Sequence, residues 1–421
     1  MKTRIESYQS RLEKYPKLKQ MYKNCYEHTI KTALKKCDDG TCFVLTGDIP
    51  AMWLRDSTAQ VTHYLPLAAK DKEVSKIIEG VIKKQFIYIK IDSYANAFNE
   101  YPNSSIGHPN DRPENNPMVH ERKYEVDSLC YPIRLLYMYW KNSGNEEIIK
   151  NELEEIAAII VNQFRLEQYH FEKSLYRFFR PDPCAPWDTI HNNGMGNPVT
   201  YTGMTWSGFR PSDDGCQYGY LTASEMFAVV ILKYMSEMLA EVCKNKKLSE
   251  ECLILRKEID DGIKKYCIVD HKKYGKIYAC ETDGMGNYSM IDDANIPSLL
   301  SIPYIGYTDT DDEVYQNTRR FLLSKDNEFY FEGKSAKGIG SRHTPPNYVW
   351  HMGLVMQGLT AKSKEEKLEM LKMIASTDAG TGYLHESFNA DDPMQYTREW
   401  FTWPNSLFAE FIELCVDNQI I

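Results

Sequence analysis

Two stretches of the chain set carboxylates where proton transfer needs them. Thr200-Tyr-Thr-Gly-Met-Thr-Trp-Ser-Gly-Phe-Arg-Pro-Ser-Asp-Asp-Gly215 puts Asp213 beside Asp214, behind Trp206 and Arg210. Adjacent carboxylates repel, so in a desolvated site one of them keeps its proton toward neutral pH and can donate it to a leaving group. A Ser-Asp-Asp-Gly string is also ordinary turn chemistry, and it is Trp206 and Arg210 that shift the balance toward a site. Gly380-Thr-Gly-Tyr-Leu-His-Glu-Ser387 carries Glu386 next to His385 on a glycine-rich loop, a setting in which a carboxylate can activate water. His385 reads as a hydrogen-bonding support or substrate contact rather than a catalyst.

Other loops supply groups suited to a hydroxyl-rich ligand. Thr46-Gly-Asp-Ile-Pro-Ala-Met-Trp-Leu-Arg-Asp56 delivers Asp48, Trp53, Arg55 and Asp56, although Asp56 or Ser57 also suits a helix N-cap. Tyr94–Asn99 and Glu121–Asp127 add amides, cations and carboxylates, with Asp127 a second possible cap. Tyr396–Trp403 brings Arg398, Glu399, Trp400 and Trp403; Glu399 reads as an ion-pair or sugar-binding residue. Trp53, Trp206, Trp400 and Trp403 suit sugar platforms or pocket walls, with at least one of them expected in the core. Two carboxylates far apart in sequence, ringed by Trp and Arg, point to glycoside hydrolysis.

Several other chemistries lack their residues. Glu281–Asn295 and Gly333–His343 are rich in Asp, Asn and Gly, yet neither has the alternating ligands of a calcium loop or the glycine spacing of a phosphate cradle. The 11 cysteines are scattered without a CxxC pair, so no metal site and no cofactor are expected. The net charge is −9 without a basic block, which argues against nucleic acid. The longest apolar run, Met226–Leu232, is far short of a membrane span, and the N-terminus does not read as a signal peptide. A cytoplasmic protein with reduced thiols, and without a membrane partner, is expected.

These loops need a scaffold to bring them together. The 421 residues are 43% hydrophobic and 26% charged, which describes an ordered globular chain large enough for one closed architecture or several domains. Helical periodicity dominates, near 16–36, 57–70, 73–90, 127–142, 146–168, 248–266, 311–323, 348–360, 363–375 and 405–416. Thr222-x-x-Glu225 reads as a capping box opening a buried helix that runs to Cys243. Strand signals are limited to Thr41–Leu45, Tyr274–Ala279 and Phe329–Phe331. The loop stretches 44–56, 92–123, 190–221, 280–298, 330–347 and 380–404 are each about two helices apart, as expected when helical hairpins close into a ring with alternate connections on one face. The prediction is an all-α (α/α)6 barrel in which residues 1–421 form one catalytic domain.

The strings TGDIPAMWLRDS (46–57), YANAFN (94–99), TYTGMTWSGFRPSDD (200–214), DDANIPSLLSIPY (292–304), GIGS (338–341) and TGYLHE (381–386) together resemble glycoside hydrolase family 125. The resemblance spans nearly the whole chain in the family's order. It implies an (α/α)6 barrel and a metal-independent exo-α-1,6-mannosidase that acts with inversion on mannose-containing, N-glycan-type oligosaccharides. It puts the general acid on Asp213 in preference to Asp214 and the general base on Glu386, and gives Arg55, Asp56 and Arg210 as contacts to the innermost mannose. Inversion implies carboxyl groups ~6.5–9.5 Å apart, with room for a water. Read from the residues alone, a cofactor-free epimerase or polysaccharide lyase on the same barrel, or a non-catalytic glycan-binding protein, stays open.

Overall fold

The computed structural model describes every residue except Ser104 and Ile106. Six helical segments are buried over most of their length: Leu54–Thr62, Val126–Ser143, Thr222–Met238, Ile302–Ile305 with the 3-10 turn Leu299–Ser301 before it, His351–Leu359 and Thr402–Asp417. Each packs on the next, and Thr402–Asp417 packs back on Leu54–Thr62, closing an inner ring. Pro16–His28, Lys72–Ile91, Glu147–Glu167, Lys246–Tyr266, Glu313–Leu322 and Lys364–Ser376 alternate with them in sequence and pack against the ring from outside. This is an (α/α)6 barrel.

Amphipathicity sorts the two rings. Glu313–Leu322 buries Tyr315, Thr318, Phe321 and Leu322 and leaves its other face to solvent, the one-sided stripe of an outer helix. Thr222–Met238 instead buries an unbroken run from Thr222 to Leu232, which only a helix enclosed on all sides can do. A further helix, Lys2–Arg11, packs on Pro16–His28 and Thr402–Asp417. Among the described residues no helix is long and apolar enough to cross a membrane.

Every inner segment is entered from a long loop, and short antiparallel strands tie these loops in pairs. Met52–Trp53, Ala97–Phe98 and Val119–Glu121 join the first two; Tyr220–Leu221, Glu281–Thr282 and Tyr288–Ser289 join the third and fourth. Tyr348–Trp350, Ser387–Asn389 and Tyr396–Thr397 join the last two, with Trp350 opposite Ser387 and Ser387 opposite Thr397. These two- and three-residue strands carry almost no periodic signal, and none of them was expected from the sequence.

The expected caps are not formed. The helix at 222 starts after an extended Leu221, and both Glu225 carboxylate oxygens accept the Thr205 backbone N–H at 3.1 Å, so Glu225 is engaged by a distant loop rather than a capping box. Asp56 and Asp127 lie inside the first turns of their helices, behind the extended residues Trp53 and Glu125. Side-chain caps are missing likewise before His351 and Thr402. The uncapped N-termini carry the positive end of each helix dipole, which offsets the carboxylates gathered there.

Candidate active site

A cavity of about 430 Å³ opens among the loops at the N-terminal ends of the inner helices. Trp53, Trp350 and Phe401, which immediately precede three of those helices, line it together with Arg55, Asp56 and Trp403 from the first turns. Asp213 from the third loop and Glu386 from the sixth line the same cavity, as does Arg398.

Asp213 is held in an unusual backbone state. Its φ of 63° is left-handed, a conformation that costs an L-residue roughly 1–2 kcal/mol and that Asp tolerates better than most. The turn is fastened by the Asp213 N–H to the Arg210 carbonyl at 2.9 Å and the Arg210 N–H to the Asp214 carbonyl at 2.8 Å. Asn96 donates to Asp213 Oδ1 at 3.2 Å, and Arg55 Nη2 stands 3.4 Å from the same oxygen.

Arg55 is surrounded by four carboxylates. Its Nη1 pairs with Glu125 Oε2 and lies 3.5 Å from Asp127 Oδ2; its Nε lies 3.5 Å from Asp56 Oδ2. One guanidinium occupies the centre of the cluster and cannot neutralise the three buried carboxylates Asp56, Glu125 and Asp127, so protons must be retained among them. Burial is the largest influence on Asp56 and pushes it up to about 6, with Arg55 opposing and Asp213 adding to the rise. Glu125 is pushed well above the usual carboxylate range by burial, and again Arg55 opposes while Asp213 and Asp127 add. Among the described residues no group of His, Cys, Asp and Glu is arranged to hold a metal ion.

Glu386 has a different setting. Its Oε2 accepts the Thr397 hydroxyl at 2.9 Å and its Oε1 lies 3.5 Å from Arg398 Nη1. Arg398 is itself anchored: Nε donates to Asp48 at 2.8 Å, Nη2 to the Thr46 carbonyl at 2.8 Å, and the guanidinium lies 4.4 Å from the Phe401 ring centre.

Five residues of the lining carry a buried polar atom without a hydrogen-bond partner in the protein: Thr46 Oγ1, Trp53 Nε1, Arg55 Nε, Asp56 Oδ2 and Asn295 Nδ2. Native interiors pair nearly all such atoms, so a concentration of them on one wall marks a surface built for a hydroxyl-bearing ligand.

Five expected substrate contacts do not line this cavity. Trp206 is core: it stacks on His170 with ring centres 3.6 Å apart and packs against Tyr124 and Tyr176. Arg210 is consumed by a buried ion pair with Glu281 beneath the turn that carries Asp213. Asp214 points the other way, as the left-handed residue before it dictates; it accepts the Ser212 hydroxyl at 3.0 Å, and burial followed by Asp293 pushes it up to about 6. The like charges crowding Asp213 are therefore Glu125 and its neighbours, not Asp214. His385 stacks on Tyr396 at 3.8 Å, and its backbone N–H donates to His351 Nδ1 at 3.1 Å. Trp400 donates its indole N–H to Thr32 at 3.1 Å.

Sequence reasoning passed over Asn295, Trp350 and Phe401 as lining residues and gave His343 no role. A legible signal existed for two of them: Trp350 and Phe401 hold the position that Trp53 holds, an aromatic residue directly before an inner helix.

The whole chain has clear relatives. The family model described as metal-independent alpha-mannosidase (GH125) matches residues 15–413. A Streptococcus pneumoniae structure from a family of metal-independent alpha mannosidases, a non-productive complex with alpha-1,6-mannobiose, is 44% identical and superposes with a TM-score of 0.96, covering 99% of this chain and 98% of that one. The meiotically up-regulated gene 157 protein of Schizosaccharomyces pombe is 36% identical over 417 residues, 94% of this chain and 81% of its own length. A bacterial glucoamylase complexed with acarbose shares the fold at 11% identity and a TM-score of 0.61, covering 94% of this chain and 55% of that one.

Proposed function

The chain belongs to the GH125 family of metal-independent α-mannosidases and is a glycoside hydrolase, and from that premise we propose that it removes terminal α-1,6-linked mannose from the non-reducing ends of N-glycan-type oligosaccharides, with inversion at the anomeric carbon. Asp213 is the general acid: its proton passes to the glycosidic oxygen as the bond from that oxygen to C1 breaks. Glu386 is the general base: it takes a proton from a water whose oxygen bonds to C1 from the opposite face. The products are β-mannose and the shortened glycan.

The observation that carries this reading is the meeting of Asp213 and Glu386 in one cavity with opposite surroundings. Asp213 stands at the edge of the carboxylate cluster around Arg55, with Asn96 donating to it. Glu386 has the Arg398 guanidinium and the Thr397 hydroxyl beside it and lies apart from that cluster. In this reading Arg55, Asp56 and Trp53 hold the sugar hydroxyls, and Trp350, Phe401 and Trp403 wall the pocket so that a chain end enters and a mid-chain sugar does not. The α-1,6 preference rests on the mannobiose held by the pneumococcal relative. Residues 1–421 act as one catalytic domain, supported by a main core cluster running from Ile5 to Val416. We place the activity in the cytoplasm, where scattered thiols stay reduced.

The experiment is hydrolysis of α-1,6-mannobiose by Asp213→Asn and Glu386→Gln. Each variant is expected to lose about 10²–10⁴-fold in kcat while still binding the disaccharide. Asn tolerates the left-handed backbone at 213, so the substitution isolates the proton. Full activity in either variant contradicts its assignment.

A further inference from the structure

A second, larger cavity of about 660 Å³ lies against the far side of the turn that carries Asp213. Its wall includes Trp187, Arg342, Gly215, His191, Asn197 and Gln217. Trp187 is 36% exposed, an unusual state for so large an aromatic outside a binding surface. Arg342 lies over its ring, 5.1 Å from the centre, and among the described residues forms no ion pair.

Two segments separate this cavity from the first. One is Asp213 to Gly215: Asp213 faces the first cavity and Gly215 the second. The other is Arg342 and His343: Arg342 lines the second cavity and His343 the first. Trp187 is also rigidly referenced to Asp213. The Gly215 N–H donates to the Trp187 carbonyl at 2.7 Å. Lys123 Nζ bridges the Asp188 carboxylate at 2.8 Å and the Asp213 carbonyl at 2.7 Å. A Cβ at position 215 would meet the Thr189 and Trp187 carbonyl oxygens at 3.1 and 3.3 Å, so glycine lets the two segments approach this closely.

We propose that this cavity binds the far end of the leaving group, the third and later sugars of a mannooligosaccharide, with Trp187 as the stacking platform and Arg342 fixing it from above. The inference rests on the reading of Asp213 as general acid. An acid protonates the oxygen of the departing sugar, so the rest of the glycan lies on the acid's side of the cleaved bond, which is where this cavity sits. Trp187 presents an apolar face to the ring of a sugar, while the exposed Asn197 and Gln217 amides and the His191 imidazole border it with groups that hydrogen-bond hydroxyls. Binding energy from sugars remote from the cleaved bond then favours longer substrates.

The test compares kcat/KM for α-1,6-mannotetraose with that for α-1,6-mannobiose in wild type, Trp187→Ala and Arg342→Ala. The wild type is expected to prefer the tetrasaccharide by about 10-fold, and that ratio should fall toward one in Trp187→Ala and by about 3-fold in Arg342→Ala. Taking a ratio within each variant removes any general loss of folded enzyme. A wild type that hydrolyses both substrates equally, or a Trp187→Ala variant that keeps the wild-type ratio, overturns the subsite while leaving the mannosidase reading intact. A wild type that hydrolyses neither overturns the mannosidase reading and the subsite with it.

Discussion

Two buried charge networks meet behind Asp213, and they are built to opposite ends. In the first, Arg180 and Lys123 serve Asp111, Glu121 and Asp188: Arg180 donates to both Asp111 oxygens at 2.9 and 2.8 Å, to Glu121 at 2.8 Å and to Asp188 at 2.8 Å. Each carboxylate has a short, well-directed cation partner. Glu121 is held well below the usual range by Lys123 and Arg180 acting against its burial, and Asp188 is lowered to about 2 in the same way. In the second, Arg55 alone faces Asp56, Glu125, Asp127 and Asp213, and apart from Glu125 its partners stand 3.4–3.5 Å away. There burial outweighs the cation, and carboxylates are pushed up rather than down. Asn96 joins the two, donating to Glu121 at 3.1 Å and to Asp213 at 3.2 Å. The ratio of cations to anions thus separates a network that fixes ions, and so holds loops, from one that retains protons for use.

Removing the cation from each network should break different properties. Arg180→Met leaves three buried carboxylates with only Lys123 and is expected to cost about 3–5 kcal/mol of stability, read from urea denaturation. A loss under 1 kcal/mol would mean the network is dispensable to the fold. Arg55→Met is expected to lower kcat/KM on α-1,6-mannobiose by roughly 10²–10³-fold and to cost less stability than Arg180→Met, because carboxylates already poised to protonate can do so when the cation leaves. Equal destabilisation by the two variants would erase the distinction between the networks.

The pH dependence of stability sharpens the contrast further. A carboxyl whose pKa is raised by folding destabilises the native state increasingly as pH rises from the unfolded value to the folded one. For Asp56 that window runs from about 3.8 to about 6. Asp56→Asn is therefore expected to stabilise the protein by about 1–2 kcal/mol at pH 7 and by little at pH 4, while impairing turnover. Asp188 has the opposite sign: its contribution is complete above about 3.8 and is lost as pH falls toward about 2. Asp188→Asn should accordingly lower the melting temperature at pH 7 more than at pH 3.

The barrel was legible because most of its helices are long and periodic and the six loop stretches between them were recognisable by composition; the fourth inner segment, the turn Leu299–Ser301 with the four-residue helix Ile302–Ile305, was too short to carry a periodic signal. Asp213, Glu386, Arg55, Asp56, Trp53 and Arg398 were singled out by clustering of residue type on such loops, and all six line one cavity. The same criterion selected Trp206 and Arg210, and failed there because residue type does not reveal the partner. Trp206 is covered by His170, and Arg210 is paired with Glu281, 71 positions away. Asp214 was paired with Asp213 by adjacency, but a left-handed turn sends neighbouring side chains apart, and that φ is not encoded in a two-residue string. Glu225 went to the Thr205 backbone rather than to its own helix end, again a long-range partner overriding a local motif.

Proton NMR of α-1,6-mannobiose during the first minutes of hydrolysis tests the division of labour between Asp213 and Glu386 most directly. The account predicts that the β-anomer of the released mannose appears first, with the α-anomer growing in only as mutarotation proceeds. Release of α-mannose from the outset would mean that a carboxylate attacks the sugar itself, and would contradict a water activated by Glu386.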